Sequence, residues 1–327
     1  MPLITVENLV KTFQIAQRQS GIWGALKGVV HRTYRTTNAL DGISFAVAPG
    51  ELVGYIGPNG AGKSTTVKVL SGIMAPDAGH CEVFGRAPWQ HRIATVREIG
   101  VVFGQRTQLW WDLPVIESFD LLRDIYRVPR GSYRKNLAEL IAWLDLGALL
   151  DIPVRQLSLG QRMRCDLTAA LLHAPALLFL DEPTIGLDAV SKLAVRDFIR
   201  KLNRERGVTV ILTTHDMDDI EALCTRVIMI GQGKILFDGN LEDLRARVST
   251  ERRLIIDLED EHAEVNDAAV TMISRDGHRV CLSFDPDHTP AAALISRITA
   301  KHAIRDLLVE NPPIEEIIAR LYNESKE

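Results

Sequence analysis

Cysteine is scarce in this chain, with four in 327 residues, and the four are scattered at Cys81, Cys165, Cys224 and Cys281. No CxxC spacing occurs, which excludes the usual zinc and dithiol frameworks and fits a reducing compartment. The four read as buried small hydrophobes. Positive charge is not in excess: 38 Lys and Arg against 42 Asp and Glu leave a net charge of −4, so no global basic field recruits nucleic acid. Long apolar runs are missing. The longest, "AALLHAPALLFLDEP", is broken by His173 and Pro175 and is too short to cross a bilayer. The opening "MPLITVENLV" lacks the basic-then-apolar layout of a signal peptide. Internal repeats and low-complexity tracts do not occur. These absences point to a cytoplasmic protein, at most docked to a membrane.

What is present is ordinary globular composition, 46% hydrophobic and 24% charged, over a length that suggests two domains. Short apolar runs alternate with helical patterns over about the first 240 residues, which predicts an α/β layer structure. "ELVGYIG" (51–57), "EIGVVFG" (98–104), "ALLFLDEP" (176–183) and "VTVILTTH" (208–215) read as strands buried on both faces, as a parallel sheet requires. "GKSTTVKVLSGIM" reads as a helix with Val67, Leu70 and Ile73 on one side. "VIESFDLLRDIY" and "RKNLAELIAWLDL" carry helical spacing, so a helical insertion lies between two core strands, within 105–165. From residue 241 a second small unit is expected. It has strands "RLIIDL", "AVTMIS" and "RVCLSF" about the turn "RDG", then helix "PAAALISRITAKH" and strand "IRDLLVE".

"GPNGAGKS" fits G-x-x-x-x-G-K-[ST] in full, between a strand and a helix. Gly57, Pro58, Asn59, Gly60, Ala61 and Gly62 form a loop whose glycines let successive N–H groups face phosphates. The helix N-terminus adds partial positive charge. Lys63 can reach the β- and γ-phosphates, the Ser64 hydroxyl can ligate Mg²⁺, and Thr65 is a further donor. "LLFLDEP" delivers Asp181 and Glu182 to a strand C-terminus, where open α/β sheets bind ligands. Asp181 suits the magnesium shell and Glu182 suits activation of the attacking water. "TTH" ends the next strand, placing His215 on the same edge for a γ-phosphate contact.

A second loop, "LSLGQ", lies far along the chain. Ser158 there can N-cap a helix or turn its hydroxyl to a γ-phosphate. Capping alone leaves Gly160 and Gln161 without a purpose. Read in order, "GPNGAGKS", Gln105 in "VVFGQ", "LSLGQ", "LLFLDEP", "IGLD" and His215 make residues 1–240 resemble the nucleotide-binding subunit of an ABC transporter. The resemblance implies a P-loop NTPase ABC ATPase core with a helical subdomain, here followed by a small C-terminal α/β domain (241–327).

It further implies ATP and Mg²⁺ as cofactors and two ATPase subunits, a homodimer or a pair with a second subunit, joined head to tail. Ser158, Gly160 and Gln161 then cap the nucleotide on the partner's P-loop. Gln105 resembles the glutamine that senses Mg²⁺ and water, and Asp188 in "IGLD" matches the aspartate that crosses the dimer seam. Asp188 also reads as the N-cap of the following helix. Leu159 stands where the family has glycine. For adenine stacking, Phe13 in "LVKTF" and Tyr34 are the alternatives.

An apparent insertion, 14–37, sets Ile22, Leu26 and Val29 on one helical face, with Trp23 and Val30 at its edge and Lys27, Arg32 and Arg35 making it basic. Such a helix suits a membrane interface or packing on its own domain. Some exporters of polysaccharides and drugs carry a comparable insertion. Trp110 and Trp111 suit the core or the groove that receives a membrane partner. The expectation is an ATPase subunit energising an exporter through an integral membrane permease, with no nucleic acid bound. The alternative is a soluble ABC-type ATPase acting on ribosomes or nucleic acid.

Overall fold

The computed structural model describes residues 1–16, 34–104, 106–248 and 251–324. The chain forms two compact units, residues 1–239 and 240–327. In the first, strands β3 (Leu52–Ile56), β5 (Ile99–Phe103), β6 (Leu177–Asp181), β7 (Thr209–Thr213), β8 (Arg226–Gly231) and β9 (Lys234–Asn240) make a sheet in the order β5-β6-β7-β3-β8-β9. From β5 to β8 every neighbouring pair is parallel. Every residue of β3 and β7 is buried, the pattern of strands covered on both faces. Parallel alignment carries the C-terminal ends of β3, β6 and β7 to one edge. With β7 between β6 and β3, Asp181 is registered against Thr213 while Gly54 is registered against Leu212.

A second, antiparallel sheet joins β1 (Ile4–Ala16), β2 (Tyr34–Val47) and β4 (Ala78–Val83) in the order β2-β1-β4. Its inner face shares one apolar cluster with the parallel sheet and α1 (Lys63–Leu70), through Ile4, Leu40, Val47, Tyr55 and Leu70. Pairing of β1 with β2 continues through Phe13 with Thr37 to Ala16 with Tyr34. Residues 14–16 and 34–37, read from sequence as part of the insertion, are therefore strand. Backbone hydrogen bonding outweighed the weak hydrophobic signal there. The apolar face expected at Ile22 to Val30 lies outside the described residues.

Between β5 and β6 the chain is helical, with α3 (Val115–Tyr126), α4 (Arg130–Leu144) and α5 (Leu159–Leu171). A short α2 (Arg92–Val96) precedes β5. Both α3 and α4 begin after proline, at Pro114 and Pro129, and both stop at a residue in the left-handed region, Arg127 and Asp145. After β6 come α6 (Ala189–Arg206) and, beyond β7, α7 (Met217–Leu223). The helix α1 stops sooner than its apolar spacing suggests. It ends at Leu70, where Ser71 and Gly72 turn the chain, so Val67 and Leu70 are buried but Ile73 is half exposed.

The second unit opens with α8 (Leu241–Val248) and holds β10 (Arg252–Leu258), β11 (Val270–Asp276), β12 (Arg279–Phe284) and β13 (Ile304–Glu310) in the antiparallel order β11-β12-β10-β13. Gly277 at φ +54° makes the tight turn between β11 and β12. Leu254, Ile256, Leu258, Val280, Leu282 and Phe284 alternate onto one face and bury against Leu294 and Ile298 of α9 (Ala291–Thr299). Each such burial contributes roughly 1.5–3 kcal/mol before entropy is counted. Helix α10 (Ile314–Glu324) follows β13, and Arg253 of β10 pairs with its Glu316. Of the cysteines, Cys81, Cys165 and Cys224 are buried, while Cys281 is only half-buried because it sits on the opposite face of this sheet.

Candidate functional site

The loop from Gly57 to Gly62 leaves the end of β3 and enters α1. A side chain at Gly57 would meet the Ile230 carbonyl oxygen at 2.4 Å. Gly62 has φ +115°, and a Cβ there would lie 2.5 Å from the Ala39 carbonyl oxygen. Both positions thus need glycine for space, and Gly62 needs it for conformation as well. Gly62 is also the N-cap of α1 and offers no side chain to the first turn. The leading amides of the helix are left as donors for an anion. Within the loop, the Ala61 amide donates to the Pro58 carbonyl at 3.1 Å, and the Ala61 carbonyl accepts from Gly233 at 3.0 Å.

Lys63 is buried, and its Nζ donates to the carbonyls of Gly57 (2.5 Å) and Pro58 (3.2 Å). Burial holds its pKa below the ordinary lysine value, an effect opposed by the carboxylates of Glu182 and Asp181. Ser64 Oγ lies 3.4 Å from Asp181 Oδ2, and the other oxygen of Asp181 accepts from Thr213 Oγ1. A hydroxyl and a carboxylate at the mouth of a phosphate loop form the all-oxygen donor set that suits Mg²⁺.

Glu182 stands just past the end of β6, with φ +56°. A non-glycine residue in the left-handed region costs about 1–3 kcal/mol and persists only where its surroundings hold it. Here its amide donates to the Thr213 carbonyl at 2.8 Å, and the Gly104 amide donates to the Asp181 carbonyl at 2.7 Å. A Cβ on Gly104 would sit 2.0 Å from the Glu182 carbonyl oxygen, so Gly104 admits this close approach. His215 Nδ1 lies 3.2 Å from Glu182 Oε1.

Together these groups border a cleft of about 590 Å³ lined by Pro58, Asn59, Gly60, Lys63, Ser64, Thr65, Asp181 and Glu182. His215 reaches it through Glu182. Lys68, Phe103 and Arg106 also line it without having been singled out in the sequence, as does Ile73, read there as part of an apolar helix face. Gly104 and Thr213 were passed over too, although a glycine closing a buried strand is a signal of close backbone approach. Gln105 lies outside the described residues. Phe13 is on β1 and partly exposed, outside the wall of this cleft.

The residues of "LSLGQ" and "IGLD" do not line the cleft of their own chain but meet each other. Ser158 is the N-cap of α5, and a capping box joins it to Gln161: the Gln161 amide donates to Ser158 Oγ (3.2 Å) and the Ser158 amide to Gln161 Oε1 (2.8 Å). Asp188 caps α6, accepting from the Ser191 amide at 2.9 Å and its hydroxyl at 2.8 Å, which holds its carboxyl below the usual range. A Cβ on Gly160 would lie 2.5 Å from Ser191 Oγ. Gln161 and Gly160 therefore have local purposes that capping by Ser158 alone did not suggest. Leu159 fills the space beside Gly186, whose Cβ would be 3.1 Å from the leucine Cδ2.

Trp110 and Trp111 are 39% and 50% exposed, which overturns a core placement for either. They leave the core at a turn after the buried Leu109, held by the Leu113 amide on the Trp110 carbonyl (3.2 Å) and the Arg155 amide on the Trp111 carbonyl (3.0 Å); the guanidinium of Arg162 lies 5.6 Å from the Trp111 ring centre.

Comparison with known proteins agrees with this geometry. The family model "ABC transporter" matches residues 40–185. The linearmycin resistance ATP-binding protein LnrL of Bacillus subtilis (strain 168) is 30% identical over 89% of this chain and 96% of its own length. The daunorubicin resistance ATP-binding protein DrrA3 of Streptomyces coeruleorubidus is 32% identical over 90% and 94%. Among solved structures, an ATP-binding subunit of an ABC transporter superposes with a TM-score of 0.63 at 26% identity, over 75% of this chain and 92% of that one. A dimeric ATP-binding cassette in a post-hydrolysis state, bound to ADP and Pi, gives 0.59 at 25% identity, over 73% and 98%. A phosphate loop, paired carboxylates on one sheet edge and relatives matched over nine-tenths of the chain lead to one conclusion: this chain belongs to the ABC transporter family, as an ATP-binding subunit that hydrolyses ATP.

Proposed function

We propose that the chain powers an exporter as a head-to-tail dimer of ATPase subunits bound to an integral membrane permease on the cytoplasmic face of the membrane. The observation that carries the catalytic part is the juxtaposition of Ser64 with Asp181 and of Glu182 with His215 around one cleft. In this reading the amides of Gly60, Gly62, Lys63 and Ser64, with the Lys63 ammonium, bind the triphosphate, and Thr65 adds a donor. Ser64, Asp181 and Gln105 hold Mg²⁺, which when bound neutralises charge on the phosphates. Glu182 orients and deprotonates the attacking water, and His215 keeps that carboxylate aimed and contacts the γ-phosphate. Phe13, exposed on β1 beyond the wall of the phosphate cleft, is the aromatic this reading assigns to adenine.

Export is supported by the relatives' names, which include the Nod factor export ATP-binding protein I of Ralstonia nicotianae, 30% identical over 89% of this chain. A ribosomal or nucleic-acid role has no support among them. None of the described helices is long and apolar enough to cross a membrane, so transport needs a separate membrane-spanning partner in this reading. Trp110 and Trp111, exposed on the helical segment, suit its docking. The C-terminal unit stabilises the dimer.

The composite site has a direct test. Lys63→Ala removes the phosphate grip and Ser158→Ala removes the donor offered to the partner's nucleotide, so each homodimer is expected to be nearly inactive. Mixing the two forms dimers with one intact site, and ATPase activity should return. No recovery on mixing, with dimers shown to exchange, would mean that Ser158 serves its own chain's nucleotide, and an active Ser158→Ala homodimer would mean that it serves none.

A further inference from the structure

One carboxylate outside the cleft is buried among the loops that carry its chemistry. Asp219, on α7, has no exposed surface. Its Oδ2 accepts from Thr184 Oγ1 and from Thr214 Oγ1 (3.4 Å), and its Oδ1 accepts from Arg196 Nε at 2.6 Å. Thr184 and Thr214 are themselves buried. Thr184 stands two residues after Glu182, and Thr214 directly precedes His215. Arg196 comes from α6, the helix that Asp188 caps, and also reaches Asp216 Oδ1 at 3.6 Å. A second cation from that helix, Lys192, pairs with Asp216. Thr214 Oγ1 in turn accepts from the Asp216 amide at 2.9 Å.

A buried carboxylate is costly unless its lone pairs are met by donors, and here the donors come from both catalytic loops and one helix. Glu182 needs such holding, because its backbone sits at φ +56°. If Thr184 drifts, the turn that follows Glu182 relaxes, and the 3.2 Å approach of His215 to Glu182 is lost with it. We propose that Asp219 is a positioning residue for hydrolysis, tying Thr184 to Thr214 so that Glu182 and His215 stay in register. This rests on the reading that Glu182 and His215 act on ATP.

The test compares Thr184→Val, Thr184→Ser and Asp219→Asn in the full chain and in a Glu182→Gln background. Thr184→Val keeps the shape and deletes one donor, so it reports even if Asp219→Asn fails to fold because Arg196 loses its nearer carboxylate and keeps only Asp216 at 3.6 Å. Thr184→Val is expected to lower kcat tenfold to a hundredfold, on the order of the loss from a misplaced catalytic group, with KM for ATP and ATP affinity unchanged. Thr184→Ser should restore turnover. In the Glu182→Gln background Thr184→Val should slow single-turnover hydrolysis no further, since groups acting as a unit are not additive. Unchanged kcat, a loss confined to KM, or a loss that multiplies with that of Glu182→Gln would overturn the proposal. Normal turnover in Glu182→Gln alone would instead remove the reading beneath it.

Discussion

Gly160 and Ser191 touch: a single added methyl group on the glycine would come within 2.5 Å of the serine hydroxyl, which is itself bonded to Asp188 at 2.8 Å. The loop at the start of α5 is thereby locked to the start of α6. Gly160→Ala is expected to push Ser191 off Asp188 and destabilise the fold by about 1–3 kcal/mol, the range for overpacking a filled site. Adding Ser191→Ala removes the obstructing oxygen and should recover most of the loss. Denaturant unfolding of the single and double variants measures both, and an unaltered Gly160→Ala midpoint would deny the contact.

Glu182→Gln keeps the size of the side chain and removes the base. The variant should bind ATP normally, hydrolyse it about 10²- to 10⁴-fold more slowly, and accumulate as a dimer when ATP is present. Phosphate release and size-exclusion chromatography with ATP read the two effects separately. Turnover at the normal rate would take Glu182 out of the reaction.

Asp166 on α5 accepts from Thr107 Oγ1 at 2.8 Å and from the Gln108 amide at 3.1 Å, tying the segment after Gln105 to the helix that Ser158 caps. Burial pushes its carboxyl up from 3.8 to about 6, against the pull of those two hydrogen bonds. The folded state therefore holds this proton more tightly than the unfolded chain does. Its contribution to stability is greatest below about pH 4 and is lost as the pH rises to about 6, by at most about 3 kcal/mol. Asp166→Asn should remove that slope. The difference in unfolding free energy between the two proteins, followed from pH 4 to pH 7, will show a bend if the carboxyl is raised and a flat line if it is not.

Trp111 is half exposed, with the Arg162 guanidinium stacked against it. If it anchors the permease, Trp111→Ala leaves the ATPase of the isolated subunit intact and weakens its association with permease-containing membranes about tenfold, as loss of an aromatic hot spot does. Co-sedimentation with such membranes measures this, and unchanged binding would move the docking surface elsewhere.

The phosphate loop, the carboxylates closing β6 and the alternation of apolar strands with helices were readable because each is a local pattern. A glycine spacing or a run of buried residues carries its meaning within a few turns of chain. The same holds for the β11–β12 hairpin, marked by its Asp-Gly turn, and for the serine that caps α5.

Other features belong to no local window. Ser64 and Asp181 are 117 positions apart and meet because β7 lies between β3 and β6 in one parallel sheet. The same order sets Thr213 beneath Asp181 and Glu182. Gly160 is small because of Ser191 on another helix, and Asp219 is buried because two loops and α6 close over it. Trp110 and Trp111 look like core residues by composition, yet the path of the chain keeps them outside. Sequence by itself determined which chemical groups the chain carries and which helices and strands present them. Tertiary structure alone decided which of them meet, because contact across a sheet depends on strand order, and strand order is settled by burial of the whole core rather than by any neighbouring residues.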